Sequence, residues 1–328
     1  MSGLAVVEAR EGALRKVAFE VVTAAKQASG MTGGGEVHAL LIGGSNISAS
    51  APELGRYGAD VVHIVEHPDL DRYSPEVYAA TAAALIQAGS YRAALFCASA
   101  QGRDLAPRVA ATLNVSLAAD VVAFEFEGDA ILARHPVYIG KAIATLRLTG
   151  TPALLSLRPS AITPVETPAA ARVNRIEPAI APRDARITVT DLSGRAAANL
   201  DLGEAPVVVS GGRGLKAAEH FRLVEELAAA FGNAAVGATR AVTDDGWRPA
   251  TDQIGQTGRL VSPELYIAVG ISGAVQHLAG MRTSRVIVAI NRDRDAPIMK
   301  LADYAIVGDL FDIVPRLTEA VKQARADS

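Results

Sequence analysis

Apolar and polar positions in the first part of the chain alternate between two repeating patterns. Short apolar runs, typical of buried strands, are followed by longer segments whose apolar residues recur every three to four positions, as in helices. The strand-like runs are LAVVEA, VHALLIG, VVHIVE and AALFCAS, and the helical segments are LRKVAFEVVTAAKQA, PEVYAATAAALIQ and LAPRVAATL. This alternation predicts a parallel sheet covered by helices on both faces.

The pattern changes after Ala118, where four strand-like runs follow one another with short polar turns. They are VVAFEFEG, ILARHPVYIG, KAIATLRLTG and ALLSLRP, and we expect them to add antiparallel strands to the edge of the domain. Residues 158–184 hold five of the protein's 16 prolines and show no periodicity, which indicates a crossing segment or linker. The strand-like run RITVTD follows it.

A second alternation of strands and helices fills the remainder of the chain. Its predicted strands are 206–210, 234–240, 265–270, 286–290 and 304–309, and its predicted helices are about 216–231, 273–279 and 310–324. The fold class is therefore α/β with two domains, each a mainly parallel sheet flanked by helices. We expect an N-terminal domain over 1–184, with the proline-rich linker from about 158, and a doubly wound Rossmann-like domain over 185–328.

Composition narrows the functional classes. The 32 basic and 35 acidic residues nearly cancel, so no overall field favours nucleic acid or an anionic membrane. The only cysteine, Cys97, lies in an apolar run, which predicts a buried thiol in a reducing compartment. The N-terminus resembles neither a signal peptide nor a membrane anchor, and the metal-binding motif HExxH does not occur. We expect a cytoplasmic protein without membrane insertion or a metal site.

Polar groups follow every predicted strand of the second domain. In open parallel sheets, ligands bind outside the carboxyl ends of the strands, where the loops converge. The strand ends carry the Gly-rich stretch 211–214 with Arg213, then Thr239 and Arg240, then Ser272, Gln276 and His277, and finally Asn291 and Asp309. This concentration predicts a ligand site at one edge of the sheet.

The motif SGGRGLK has two interpretations. Its glycines allow close backbone approach to a phosphate and Arg213 can neutralise it, but glycine-rich turns after strands are also common for structural reasons. It is not a Walker A motif, and GxGxxG lacks its third glycine at position 217.

His277 and the QTG motif at 256–258 also have two interpretations each. His277 is either a helix residue with local partners or a positive or donor group beside a ring that becomes anionic. QTG is either a polar turn or a loop that offers amide and hydroxyl groups to a ligand. Asp244 and Asp245 are interpreted as solvated loop residues, and no GxSxG elbow supports a hydrolase.

Four blocks in order resemble the FAD-binding domain of the electron-transfer flavoprotein alpha subunit. They are SGGRGLK, GATRAVTDDGW, IGQTGRLVSPELYIAVGISGAVQHLAG and VIVAINRDRDAPIMKLADYAIVGDL. The likeness spans residues 205–320, and CASAQGRDLAPRVAATLNVSLAADV extends it less distinctively into the first half.

The resemblance implies an electron carrier with FAD in the second domain and no bond-making chemistry of its own, so no catalytic residues are assigned. It implies a heterodimer with a beta subunit, acyl-CoA or other dehydrogenases as electron donors, and a membrane quinone oxidoreductase or another acceptor. It places Arg213 at the pyrophosphate or flavin, Arg240 beside the isoalloxazine ring, Thr257 at flavin N5 and His277 near the C2 carbonyl. Asn291 and Asp309 would bind the ribose and adenine end.

The full set of cofactor-binding residues that the resemblance implies falls in the second domain. It consists of Arg213, Thr239, Arg240, Gln253, Ile254, Gly255, Gln256, Thr257, Ser272, Gly273, Ala274, Val275, Gln276, His277, Asn291, Asp309 and Leu310. Two other classes remain open from the sequence: a nicotinamide-dependent dehydrogenase, for which the fingerprint is incomplete, and a nucleotide-binding regulatory module. A bifurcating variant with a further flavin in the partner also remains open.

Overall fold

The structure is a computed structural model that describes residues 2–138, 140–190 and 200–326. The chain divides into two compact units, 1–193 and 194–328, whereas the predicted boundary lies at 184/185. The mixed α/β class with parallel sheets flanked by helices is confirmed.

The first unit is built on a parallel sheet of seven strands in the order β12-β5-β4-β1-β6-β11-β7. Its elements are β1 (Ser2–Val6), β2 (Ala9–Arg10), β3 (Ala13–Leu14), α1 (Lys16–Met31), β4 (Val37–Gly43), α2 (Ala51–Arg56), β5 (Val61–Glu66), α3 (Pro75–Ala88), β6 (Tyr91–Cys97), α4 (Ala100–Leu113), β7 (Leu117–Val121), β8 (Ala123–Glu127), β9 (Ala130–Val137), β10 (Ala142–Leu148), β11 (Ala153–Leu157) and β12 (Arg172–Arg175).

Alternate residues of the central strands enter two separate cores. In β4, Ala39 and Leu41 join one cluster, and Leu40 and Ile42 join the other. The sheet is therefore buried on both faces, as the near-continuous apolar runs predict. Cys97 lies in this core, and burial raises the pKa of its thiol well above its ordinary value.

Two predictions for the first unit need correction. The runs after Ala118 do not all extend the domain edge as antiparallel strands: β8, β9 and β10 form an antiparallel sheet of their own, and β11 inserts parallel between β6 and β7. The proline-rich segment is not only a linker, because its proline-free stretch supplies β12, which pairs with β5.

The run RITVTD is not a strand over 186–190, and its last residue, Asp191, lies outside the described residues. Its backbone N–H and C=O groups form hydrogen bonds with side chains and not with the backbone of a neighbouring strand. The Arg186 and Ile187 amides donate to the Glu76 carboxylate, and Arg72 donates to the carbonyls of Val189 and Thr190.

The second unit contains a parallel sheet of five strands in the order β14-β13-β15-β16-β17. Its elements are β13 (Val207–Gly211), α5 (Arg222–Phe231), β14 (Ala234–Ala238), α6 (Arg240–Asp244), β15 (Leu265–Val269), α7 (Val275–Met281), β16 (Val286–Asn291), α8 (Pro297–Leu301), β17 (Tyr304–Val307) and α9 (Leu310–Ala326). Apolar clusters cover both faces of this sheet. The doubly wound prediction is confirmed.

Helix lengths in the second unit differ from the prediction. The predicted helix at 216–231 begins only at Arg222, because Lys216 has a positive φ of 68° and short 3₁₀ turns precede the α-helix. Helices α6 and α8 are five residues each and were not predicted, since one turn carries too few positions to show a period. No helix within the described part of the chain is long and apolar enough to cross a membrane.

Candidate functional site

The strand order of the second sheet locates a ligand site by topology. The chain leaves β13, forms β14 on one side, and then returns to form β15, β16 and β17 on the other. In such doubly wound sheets the ligand lies outside the carboxyl ends of the two strands where the winding reverses. Here these strands are β13 and β15, which pair in parallel from Val207 with Leu265 to Gly211 with Val269.

Two loops leave the sheet side by side at this point. The Gly212 amide donates to the Val269 carbonyl at 2.9 Å, and the Gly214 amide donates to the Gly270 carbonyl at 3.0 Å. A Cβ on Gly212 would lie 2.3 Å from the Gly270 oxygen, so only glycine permits this approach. The loop therefore has a structural reason for this glycine. The neighbouring Arg213 is exposed, and no carboxylate pairs with it among the described residues.

The QTG loop packs directly on α7. The Gln256 amide donates to the Gln276 carbonyl at 2.8 Å, and the Ile254 amide donates to the Ala238 carbonyl at 2.9 Å. Gly255 has a φ of 146°, and a Cβ there would lie 2.9 Å from the Gln276 oxygen. The structure thus brings the two polar flanks of β15 together, as one continuous surface.

Two side chains fix the QTG loop internally. The Gln253 amide donates to Thr257 Oγ1 at 2.9 Å, and its oxygen accepts from the Thr243 hydroxyl at 3.0 Å. Because Thr257 Oγ1 accepts this bond, its own hydrogen is free to donate elsewhere. Thr257 and Gln256 are both exposed.

His277 lies inside the domain. Its side chain is buried, Nδ1 lies 3.0 Å from the Ile254 carbonyl oxygen, and Nε2 lies 2.9 Å from the Tyr266 hydroxyl. A carbonyl only accepts, so Nδ1 carries the proton and Nε2 accepts from Tyr266. Burial lowers the pKa of His277 to about 4. The ring is therefore neutral at pH 7 in this structure, which favours the interpretation of His277 as a helix residue with local partners over that of a positive group.

Arg240 is the first residue of α6 and is exposed, with the half-buried Thr239 before it. Its Nε lies 3.2 Å from Asp244 Oδ2, one turn further along the same helix. The interpretation of Asp244 as a loop residue is therefore wrong, because it lies on α6 and balances Arg240. Exposed pairs of this kind are weak, so Arg240 remains available to another anion.

Asn291, Asp309 and Leu310 lie at the ends of β16 and β17. Asn291 Nδ2 donates to the Ile271 carbonyl at 2.7 Å, and its oxygen accepts from the Asp293 amide at 3.0 Å. Asp309 accepts from the Phe311 amide at 3.0 Å and pairs with Arg292. The Phe311 amide and then Arg292 lower the pKa of Asp309. The Leu310 side chain is buried in the core.

The predicted residues share one edge of the second sheet but differ in exposure. The exposed ones are Arg213, Arg240, Gln256, Thr257, Ser272, Ala274, Val275 and Gln276. The half-buried ones are Thr239, Gln253, Asn291 and Asp309, and the buried ones are Ile254, Gly255, Gly273, His277 and Leu310. The described residues contain no group of three His, Cys, Asp or Glu side chains that could hold a metal ion.

Comparison with known proteins supplies the family. A model described as an electron transfer flavoprotein domain matches residues 3–182, and one described as an electron transfer flavoprotein FAD-binding domain matches residues 201–282. The electron transfer flavoprotein subunit alpha of Bacillus subtilis (strain 168) is 41% identical over 323 residues, which cover 98% of this chain and 97% of that protein.

Two further relatives carry the same name. The subunit from Syntrophomonas wolfei is 41% identical over 319 residues, covering 97% of this chain and 98% of the relative. The subunit from Mycobacterium leprae is 40% identical over 325 residues, again covering 97% and 98%. The chain belongs to the electron transfer flavoprotein alpha-subunit family.

The family is one of electron carriers, and its cofactor is FAD. The edge at β13 and β15 fits this group. FAD combines two phosphates with a flat ring system that has an apolar half and a hydrogen-bonding half. The edge offers an exposed arginine without an acidic partner among the described residues, exposed hydroxyls and an apolar side chain. These groups are Arg213, Thr257, Ser272 and Val275, the last of which is 50% exposed.

Tyr266, whose hydroxyl lies 2.9 Å from His277 Nε2, was not among the residues predicted from the sequence. This tyrosine is fully buried in β15, within the apolar run LYIAV. A buried tyrosine hydroxyl almost always needs a hydrogen-bond partner, and that rule was the available signal. His277 therefore has one hydrogen-bond partner in the core, the Tyr266 hydroxyl, and one in the QTG loop, the Ile254 carbonyl.

Proposed function

We propose that this chain binds FAD across the carboxyl ends of β13 and β15 and carries electrons in a heterodimer with an electron-transfer flavoprotein beta subunit. The electrons would come from acyl-CoA or other dehydrogenases and pass to a membrane quinone oxidoreductase or another acceptor. Fatty acid β-oxidation is the process that such donors serve, and we propose a cytoplasmic location for the complex.

One observation carries the proposal. The exposed polar residues that the sequence singled out converge at the point where the winding of the second sheet reverses, within a domain whose family binds FAD. The loop after β13, the QTG loop and the start of α7 meet there through backbone hydrogen bonds. No single motif of the sequence would by itself indicate an FAD site, whereas the meeting of these three segments at one edge of the sheet supports it.

The chain's own residues have distinct tasks at this site. Bound FAD supplies the redox chemistry at its isoalloxazine ring. Arg213 contributes positive charge in the loop after β13, where glycines leave the backbone accessible. Positive charge beside accessible backbone N–H groups would favour binding of the FAD pyrophosphate. Thr257 offers a hydroxyl hydrogen that Gln253 orients. Arg240 places a guanidinium at the end of β14, where it would stabilise added negative charge on the ring.

Co-expression with the candidate beta subunit tests this function. We expect a yellow heterodimer that contains FAD and is reduced by an acyl-CoA dehydrogenase together with its substrate. A Thr257→Val variant, which keeps the shape but removes the hydroxyl, should still form the heterodimer but show an altered flavin absorbance. Recovery of a colourless, stable monomer in the presence of the beta subunit would refute the proposal.

A further inference from the structure

The core beneath the candidate FAD site contains three polar side chains on three neighbouring elements. Ser210 lies on β13, Tyr266 on β15 and His277 on α7. Their exposed fractions are 0%, 0% and 5%. Polar groups so deeply buried are costly unless they are hydrogen-bonded, so each needs a reason for being there.

The bonds of His277 and Tyr266 define one state of this cluster. His277 Nδ1–H donates to the Ile254 carbonyl at 3.0 Å, and the Tyr266 hydroxyl donates to Nε2 at 2.9 Å. With its single hydrogen used in this way, Tyr266 still has oxygen lone pairs but no further hydrogen to donate.

Ser210 is the unexplained member. Its hydroxyl oxygen is buried and makes no hydrogen bond of ordinary length and angle with the described residues. Its neighbour is Tyr266: burial raises the pKa of the Tyr266 phenol, and a side-chain hydrogen bond from Ser210 opposes that rise. In this state Ser210 is therefore a weak donor to the Tyr266 oxygen. Strand pairing agrees, because Val208 pairs with Tyr266 and Ser210 follows two residues later on the same face of β13.

These positions allow a second state. If Nε2 of His277 gained a proton, it would donate to the Tyr266 oxygen, and the Tyr266 hydrogen would need a new acceptor. The Ser210 oxygen, which accepts no hydrogen bond in the first state, supplies that acceptor. Both states then satisfy the tyrosine and the histidine, and Ser210 changes from a weak donor to an acceptor for Tyr266.

We propose that Ser210, Tyr266 and His277 form a two-state hydrogen-bond relay that lets His277 take up a proton when negative charge is added at the site above it. One hydrated proton from the bulk solvent adds to Nε2, the hydrogen bond from the Tyr266 O–H to Nε2 is replaced by one to the Ser210 oxygen, and no covalent bond of the protein breaks. The inference rests on the proposed function, because bound FAD is the source of the added charge. Tyr266 and Ser210 are positioning residues and do not contact the cofactor.

The surroundings make His277 responsive to such a charge. Burial lowers the pKa of His277 and the Ile254 carbonyl opposes this, while no charged side chain in the described part of the chain contributes. The groups that face the ring are Ile254 of the QTG loop, Tyr266 of β15 and, through Tyr266, Ser210 of β13. An added negative charge would act in a low-dielectric environment, where charge interactions are strong.

The test uses the FAD-loaded heterodimer with ¹⁵N-labelled histidine, titrated by NMR in its oxidised and dithionite-reduced forms. The His277 ring nitrogens report the tautomer and the charge. In the unmodified protein, we expect an Nδ1–H neutral ring when oxidised and at least tenfold tighter proton binding after reduction.

Ser210→Ala should keep the fold and the FAD, since it removes only a buried hydroxyl whose hydrogen bond to Tyr266 is weak. It should weaken proton binding by reduced-state His277 about tenfold. Ser284→Ala, a substitution outside the relay in the same unit, should leave the titration unchanged. Tyr266→Phe should abolish the Nε2 signature of the accepted hydrogen bond.

Two results would overturn the relay. One is a His277 titration that is the same in both redox states with FAD bound. The other is a reduced-state titration that Ser210→Ala leaves unaltered. A heterodimer that forms without FAD refutes the proposed function, and the relay with it, and flavin absorbance distinguishes this result from the other two.

Discussion

At the residue scale, two exposed arginines of the candidate site have different surroundings. Arg213 has no acidic partner among the described residues, whereas Arg240 pairs with Asp244 across one turn of α6. Positive charge near a reduced flavin stabilises it. The two arginines should therefore affect the bound cofactor differently, with Arg240 acting on its redox potential.

Replacing Arg240 by alanine should leave FAD bound and make its midpoint potential more negative, because the reduced form loses a stabilising charge. Exposed charge contacts are weak, so FAD affinity should fall by no more than about fivefold. Asp244→Asn is the matched control, since it frees Arg240 and should shift the potential in the opposite direction. A spectroelectrochemical titration measures both. Equal potentials in Arg240→Ala and the unmodified protein would remove Arg240 from this role.

The glycine at position 212 permits the closest approach between the two loops of the site. A Cβ there would lie 2.3 Å from the Gly270 oxygen, a backbone atom that cannot move aside cheaply. We expect Gly212→Ala to lower the free energy of unfolding by about 1–3 kcal/mol and to release FAD.

Gly150→Ala is the control for this substitution, because a Cβ at that position would have no atom within 4 Å and its φ is not positive. Thermal unfolding and flavin content are measured on the same samples. A Gly212→Ala protein with unchanged stability and full FAD content would show that the close approach is unimportant.

At the element scale, a chain of polar side chains links strand β12 to the first sheet, and its central member, His63, is buried. Asn174 Nδ2 donates to His63 Nδ1 at 3.0 Å, and His63 Nε2 lies 2.9 Å from His38 Nδ1. His38 Nε2 in turn lies 3.5 Å from a Glu36 carboxylate oxygen, and the Tyr91 hydroxyl lies 3.0 Å from His38 Nδ1. Two neutral histidines satisfy this chain, with one proton each.

This chain predicts loss of stability in acid. Burial, and then the neighbouring His38, lower the pKa of His63 from 6.5 to about 4. The folded state thus favours the neutral ring, and its contribution is complete above pH 6.5. Below that pH the unfolded chain binds the extra proton, so stability falls as the pH drops towards 4, by about 1.4 kcal/mol per pH unit for this one group.

A His63→Gln variant should lose this part of the slope. Hydrogen exchange of residues 172–175 and circular dichroism, measured between pH 4 and pH 7, follow the first unit. The single tryptophan, Trp247, lies in the second unit, and its fluorescence reports on that unit separately. This separation is needed because His277, also in the second unit, has a lowered pKa as well. An unchanged pH slope in His63→Gln would contradict the assignment.

The sequence predicted best those elements whose pattern of apolar residues is long or recurs along the chain. All five strands of the second sheet lie within three residues of their predicted bounds, because buried parallel strands are apolar throughout. Helices α6 and α8 are single turns without a period, and β12 lies in a segment whose prolines concealed it. In RITVTD the alternation is real, but side chains of Arg72 and Glu76 bind its backbone.

For the site, the sequence predicted which loops meet but not which side chains face outward. The strand-end rule brought Ser272 and Gln276 to one edge and the resemblance added Thr257, and the structure shows all three as exposed residues. It could not show that His277 turns inward, because that depends on Tyr266, which lies eleven residues away and reaches it only in the fold.

At the scale of the whole molecule, the chain combines two α/β units of the electron transfer flavoprotein family, and the second carries the candidate FAD site. The near balance of acidic and basic residues gives no overall field that would select a partner. Recognition of the proposed beta subunit and electron donors should therefore depend on local surfaces, and co-purification tests whether the beta subunit binds.

The central claim is that FAD lies across the carboxyl ends of β13 and β15. Hydrogen–deuterium exchange on the heterodimer, with FAD bound and after FAD has been stripped, tests it most directly. We predict that FAD slows exchange in three segments, 211–216, 253–259 and 271–278, and leaves the first sheet of this chain unchanged. Protection confined to the first unit, or equal exchange in all three segments with and without FAD, would contradict the account.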